Sequence, residues 1–191
     1  MATLKNGFLY SNGNKKIGHD TVILNITSAS NCPSDKLGLC KVSKLCYAKK
    51  IERYNPYYKP FCDRQTKQWD TLTAKQIVIN ILHIKDKNPD VKYLRYSEAG
   101  DFRTQEDINK MSDIAELLKP VGIRVYGYTA RSDLDFSNVS DNMTVTGTYF
   151  NVHNCFKPVR QFTSKIRCQA NCRTCNLCKN RNNKTIEVLI H

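Results

Sequence analysis

The sequence predicts an α/β fold, a partial barrel or short mostly parallel sheet built from βα units, with a Cys-rich C-terminal segment. Three observations predict it. Between residues 21 and 150, β-branched apolar runs alternate with segments of helical periodicity. A closed eight-stranded barrel takes about 250 residues, and this chain has 191 and too few apolar runs. Near its end, residues 168–178 read CQANCRTCNLC, a density of cysteine that serves loops and metals rather than helices or strands.

The elements follow in order. TVILNIT (21–27) is the first strand, and the twenty residues before it are assigned none. A Cys-rich loop, SASNCPSDKLGLCKVSKLCYAKK, comes next, then the loop NPYYKPF (55–61). Residues 63–85 read as one helix whose buried side carries Trp69, Leu72 and the run IVINILHI (77–84), and Asn88-Pro89 ends it. KYLRYS (92–97) is a strand, and EAGDFR is its turn. Thr104 is placed to cap a second helix, with Glu106 and Asp107 in the first turn, where the helix dipole favours acids. Ile108, Met111, Ala115 and Leu118 give that helix its apolar stripe, and Pro120 and Gly122 mark its end. GIRVYGYT (122–129) and MTVTGTYF (143–150) are strands with a loop between them, and TIEVLIH (185–191) is the last strand. One domain, 1–191, holds all of these.

In parallel α/β folds functional groups gather at the carboxyl ends of the strands. Those ends open into the first Cys loop, Glu98–Asp101, Arg131–Asp135 and His153–Cys155. Glu98, Asp101 and Arg131 are therefore candidates for a substrate-binding rim, and the two Cys-bearing segments are expected to converge on that one rim. Asp133 and Asp135 read more readily as turn acids, and His153 as a surface loop histidine.

The chain carries a net charge of +13. Such a charge favours nucleic acid or another polyanion as partner, or simply a solvated basic face. In KKIERYNPYYKPF (49–61), Lys49, Lys50, Arg53 and Lys59 are interleaved with Tyr54, Tyr57, Tyr58 and Phe61. Lys49, Lys50, Arg53, Tyr54, Tyr57 and Lys59 form a candidate nucleic-acid surface, because cations meet phosphates and aromatic rings stack on unpaired bases. The competing reading has the tyrosines packed inward. No apolar run approaches the roughly 18 residues of a membrane span, and no membrane partner is expected. The first twenty residues lack the apolar core of a signal peptide. Walker loops, G-x-G-x-x-G fingerprints and serine nucleophile elbows are absent from the sequence.

Nine cysteines in a chain without a secretion signal point to metal rather than disulfides. Cys172, Cys175 and Cys178 are spaced C-x2-C-x2-C, which lets one loop wrap an inorganic core with three thiolates. Cys168 is the nearest fourth ligand. Structural zinc usually uses two separated knuckles, so an iron–sulfur cluster, [4Fe–4S] in particular, is favoured and zinc is the alternative. Cys32, Cys40 and Cys46 form a second ligand set, for the same cluster or another. Cys62 and Cys155 stand alone and read as non-ligands.

Taken together, NCPSDKLGLCKVSKLCYAKK, LRYSEAGDF, YGYTARS and CQANCRTCNLC resemble the phage gene product 88 domain family over roughly residues 20–180. The resemblance implies a viral protein, located in the host cytoplasm or the virion, and carries no assigned activity. Cys-Tyr-Ala after the first strand and Gly-Asp after the second also resemble, more distantly, radical S-adenosylmethionine barrels. There the cluster motif C-x3-C-x2-C follows the first strand. Here Cys168, Cys172 and Cys175 spell that motif at the other end of the chain, in the wrong structural context. Three functions follow: a structural or redox iron–sulfur protein acting near nucleic acid, a zinc-stabilised nucleic-acid-binding module, or an enzyme that cleaves S-adenosylmethionine.

Overall fold

The computed structural model describes residues 2–5, through their backbone alone, and 7–190. One eight-stranded sheet runs through it, with strand order following chain order. Strands β1 (Ala2–Lys5), β2 (Phe8–Asn14) and β3 (Gly18–Leu24) form an antiparallel meander. From β3 onward every pairing is parallel, through β4 (Tyr93–Tyr96), β5 (Arg124–Thr129), β6 (Met143–Thr148), β7 (Asn154–Val159) and β8 (Thr185–Leu189). The sheet does not close, since β8 pairs with β7 and not with β1 among the described residues. The predicted mostly parallel, open α/β sheet is therefore the observed class. Predicted strands correspond to β3, β4, β5, β6 and β8, although His191 lies outside the described residues.

The helices differ more from expectation. The predicted helix 63–85 is two helices, α3 (Tyr58–Thr71) and α4 (Ala74–Lys87), after the short α1 (Pro33–Lys36) and α2 (Tyr47–Tyr54). The break has a local cause. Thr73 and Gln76 form a reciprocal capping box that starts a new helix, and Lys110 donates to the Leu72 carbonyl at 2.5 Å as well as to that of Trp69. Helix α5 (Gln105–Leu118) begins after Thr104 as expected, although the Thr104 side chain accepts no backbone hydrogen bond there.

Helices α3, α4 and α5 supply the core on one face of the sheet. Val22, Leu24, Leu94, Tyr96, Val125, Met143 and Val145 point to that face and pack with Trp69, Ile77, Ile81, Met111 and Leu118, all buried. Each such side chain contributes about 1.5–3 kcal/mol through removal from water. Gly127 belongs to this face because of its neighbour, as a Cβ there would stand 2.5 Å from the Tyr96 ring. Alternation then places Arg95, Tyr126, Tyr128, Phe156, Ile186 and Val188 on the opposite face. Helices α3, α4 and α5 leave this face uncovered, β5 to β8 are joined by loops, and the face opens into a cavity lined at one end by residues of α1 and α2.

Candidate functional site

The cavity on the uncovered face has a volume of about 650 Å³. Cys32, Cys40, Cys46, Cys168, Cys172, Cys175 and Cys178 all line it, and Cys62 and Cys155 do not. Cys62 is instead fully buried against Phe61, Ala48 and Ala29, where burial pushes its thiol up to about 12. Cys155 sits in β7, half-buried.

The two cysteine sets reach the cavity from opposite ends of the strands. The first lies at the carboxyl ends. Cys32 precedes Pro33, the first residue of α1; Cys40 donates its N–H to the Ser34 carbonyl at 3.0 Å; and Cys46 precedes α2. Lys49 braces the loop by its 2.6 Å ion pair with Asp35, and Glu52 accepts from the Ala29 and Ser30 amides. Burial pushes the Cys32 thiol up to about 12, nearby Asp101 adding to the push, and burial also raises Cys40.

The expected convergence on one rim is not what the chain does. The connection from β7 to β8 leaves the carboxyl end, then folds back. Residues 166–168 lie along β8, where Cys168 donates its N–H to the Glu187 carbonyl at 2.8 Å and Glu187 returns one to Ile166 at 3.0 Å. The Cys run then crosses the amino ends of the strands. Cys172 donates its N–H to the Lys16 carbonyl in the β2–β3 turn at 2.9 Å. The Lys179 ammonium stands 3.9 Å over the Tyr93 ring, Asn180 accepts from Arg124, and Arg181 donates to the Met143 carbonyl at 2.8 Å. A parallel strand must be entered from its amino end, so a long β7–β8 connection has to return there.

Within the terminal run Ala170, with φ +55°, directs its N–H to the Cys168 sulfur at 3.4 Å. Such N–H···S bonds stabilise thiolates in metal sites. Burial pushes Cys178 up to about 11 despite the neighbouring Tyr128 hydroxyl, and burial raises Cys172 as well. Among the described residues no three His, Cys, Asp or Glu side chains close on a common centre. The donors are nonetheless soft, partly buried and grouped by set, the chemistry that suits iron–sulfur clusters and zinc.

The rim acids and Arg131 do something else. Asp101 is buried, and its carboxylate accepts from Ser34 Oγ at 2.5 Å, Thr129 Oγ1 at 2.7 Å, and the Ala130 and Phe102 amides at 2.8 Å. Burial holds its carboxyl above the usual range against these donors. Arg131 donates to the Phe102 and Arg103 carbonyls at 2.7 Å and pairs through both arms with Asp133 at 2.8 Å. Together they tie the exits of β3, β4 and β5, leaving neither group free for a substrate. Asp135 accepts from the Ser137 amide, as a turn acid does. Glu98 lines the cavity, with Asn14 donating to its Oε1 at 3.2 Å. His153 is not a surface histidine: its Nδ1 accepts from the Val145 amide at 3.0 Å, and burial lowers its pKa to about 4.

In the basic–aromatic stretch, Tyr54 and Tyr57 are 80% and 81% exposed, contrary to inward packing, whereas Tyr58 and Phe61 do pack inward. Lys49 is engaged by Asp35 and Lys59 by Asp63 at 2.5 Å. Arg53 is exposed beside the outward tyrosines.

With this geometry in hand, the sequence was compared with known proteins. Residues 4–167 match the model of the family described as Gene product 88. The chain belongs to this family. The match takes in the first Cys loop and the Ser97–Phe102 motif and ends one residue before Cys168, so the terminal run lies outside it, unlike the resemblance read over residues 20–180. No curated protein and no solved structure matches the chain, and the likeness to radical S-adenosylmethionine barrels has no match behind it. Among the described residues no helix is long and apolar enough to cross a membrane.

Arg95 went unnoticed in the sequence. It stands at the middle of the cavity wall, on β4, its guanidinium 5.3 Å from the Tyr128 ring centre. Its signal was legible, an arginine between Leu94 and Tyr96 in the middle of the strand segment KYLRYS.

Proposed function

We propose that this phage-family protein is an iron–sulfur protein with two thiolate sets on one cavity. Cys168, Cys172, Cys175 and Cys178 hold a [4Fe–4S] cluster, and Cys32, Cys40 and Cys46 hold a second centre at the carboxyl ends of the strands. Its role is redox or structural. The observation that carries this reading is the partition of the nine cysteines: seven line the cavity and the two non-candidates are elsewhere. Thiols must lose their protons to bind metal, and burial raises Cys32 and Cys178 further above their usual range, so metal loading releases protons and strengthens as pH rises. The test is anaerobic purification with metal and sulfide analysis. Brown protein with iron and sulfide in about equal amounts is expected. Colourless protein carrying stoichiometric zinc refutes it and favours the zinc alternative.

Two further readings rest on single observations. The outward Tyr54 and Tyr57 beside Arg53, on a chain of net charge +13, support single-stranded nucleic acid as a partner. A gel shift that weakens with salt and with Tyr54→Ala/Tyr57→Ala tests this; no shift at low salt removes it. The position of the three-cysteine set at the carboxyl ends supports an enzyme that cleaves S-adenosylmethionine, a reading tested by assaying reductive cleavage.

A further inference from the structure

The cavity holds a charge that the cysteines do not explain. Arg95 lies in the central part of the sheet, opposite Ile23 and Tyr126 in the strand register, so it is far from either open edge. Among the described residues no carboxylate lies within ion-pairing distance of it, and its Nε is buried with no hydrogen-bond partner. The carboxylates on the cavity wall are otherwise engaged. Asp35 serves Lys49, Asp101 serves Ser34 and Thr129, and Glu98 accepts from Asn14; Glu98 acts on Arg95 only through space, and the Tyr47 hydroxyl meets the guanidinium but leaves Nε without a partner.

Two more polar atoms on the same wall are equally orphaned. Ser97, just past the end of β4 and lining the same cavity as Arg95, has a buried hydroxyl without a partner, at a backbone φ of +51°. Tyr126, beside Arg95 on β5, has a buried hydroxyl that makes no close hydrogen bond, with only the Thr21 side chain near it. Buried polar groups are almost always hydrogen-bonded, so three unsatisfied donors on one stretch of wall mark a place where something else supplies the acceptors. A guanidinium with a free Nε and two hydroxyls match a carboxylate or a phosphate, which accept several hydrogen bonds at once. The rest of the wall is apolar or aromatic: Tyr128, Phe156, Pro158, Ile186 and Val188. A volume of about 650 Å³ falls in the range of small-molecule sites.

We infer that the cavity binds a small organic anion, its carboxylate or phosphate on Arg95, Ser97 and Tyr126 and its apolar body against Phe156, Ile186 and Val188. This site stands on the unpartnered Nε of Arg95 and the two hydroxyls and does not depend on which metal the cysteines hold. The rival occupation of Arg95 is as a counter-charge to the thiolates.

Calorimetric titration of the full chain, purified anaerobically with its metal, separates these. The probes are 4-phenylbutyrate, phenyl phosphate and the neutral 4-phenylbutan-1-ol. One of the anions, the carboxylate or the phosphate, is expected to bind about tenfold tighter than the alcohol. Arg95→Leu abolishes that preference at unchanged metal content, and Tyr126→Phe weakens the anion about threefold while leaving the alcohol alone. Should Arg95→Leu prove insoluble, Arg95→Lys and Tyr126→Phe carry the test, both lowering anion affinity. The inference is overturned if the alcohol binds as well as both anions, if the Arg95 variants bind anion like the wild type, or if they lose metal while anion binding is intact.

Discussion

The two ends of the strands hold cysteines by different means. At the carboxyl ends, Cys32 and its neighbours sit on a rim bound together by buried charge: the Asp101 carboxylate joins Ser34, Thr129 and Ala130, and the Arg131 guanidinium joins the Phe102 and Arg103 carbonyls. At the amino ends, the terminal run is a long loop held by backbone bonds at Lys16 and Glu187 and by a few side chains. One set is placed by the fold. The other depends on its own loop for its shape. Three cysteines at one end and four at the other, alike in chemistry, thus differ in preorganisation.

The largest effect expected from breaking this contrast comes from Asp101. Asp101→Asn removes a buried acceptor from hydroxyl and amide donors and is expected to destabilise the protein by about 3 kcal/mol, measured by urea denaturation, and to lower the metal content of the Cys32 set before that of the terminal set. Gly100→Ala acts on the same rim. Gly100 has φ +75°, and a Cβ would meet Thr27 Oγ1 at 1.9 Å. A loss of about 2 kcal/mol is expected, with metal bound at the terminal run unaffected.

A smaller effect comes from His153, which bonds β6 through its neutral Nδ1. Its pKa is lowered from 6.5 to about 4 by burial, with Arg181 adding to this. A lowered histidine contributes stability above its unfolded value, lost as pH falls from 6.5 towards 4. Urea midpoints at pH 7 and pH 5 are expected to differ by about 1 kcal/mol more in the wild type than in His153→Gln, after screening of the half-buried ring.

The smallest effect on global stability is the one most specific to the terminal loop. Glu187 accepts from the Thr163 and Ser164 amides at 2.7 and 2.8 Å and from the Thr163 hydroxyl at 2.5 Å. Those hydrogen bonds, Thr163 foremost, hold its carboxyl below the usual range, so the anchor is present at neutral pH and lost only in acid. Glu187→Gln, or chelation of the metal, is expected to raise amide hydrogen exchange over residues 160–184 and to leave residues 97–103 protected. Equal loosening of both ends would remove the contrast.

The sheet was legible in the sequence because β3 to β6 and β8 are short runs of β-branched and aromatic residues bounded by turn signals. β2 was not: its pattern FLYSNGN breaks at the bulge between Asn12 and Asn14. The break between α3 and α4 was hidden because Trp69, Leu72 and Ile77 continue one apolar stripe across a local cap. At the site, spacing picked out the terminal cysteines and position after the first strand picked out Cys32, Cys40 and Cys46, whereas the role of Asp101 was misjudged. Whether a carboxylate is free or saturated depends on Ser34 and Thr129, distant in sequence. In the motif Ser97-x-x-Gly-Asp-Phe, the residues turned out to build the rim: Gly100 for its φ, Asp101 for its acceptors, and Phe102 for packing 4.8 Å from the Tyr96 ring.

The central claim is that the seven lining cysteines hold two separable iron–sulfur centres. Mössbauer spectra and iron and sulfide counts on the wild type, on Cys32→Ser/Cys40→Ser/Cys46→Ser and on Cys172→Ser/Cys175→Ser/Cys178→Ser test it most directly. Each triple variant is expected to lose roughly half of the iron and to retain the spectrum of the other centre. Wild-type protein free of iron, or an iron content unchanged in both variants, would contradict it.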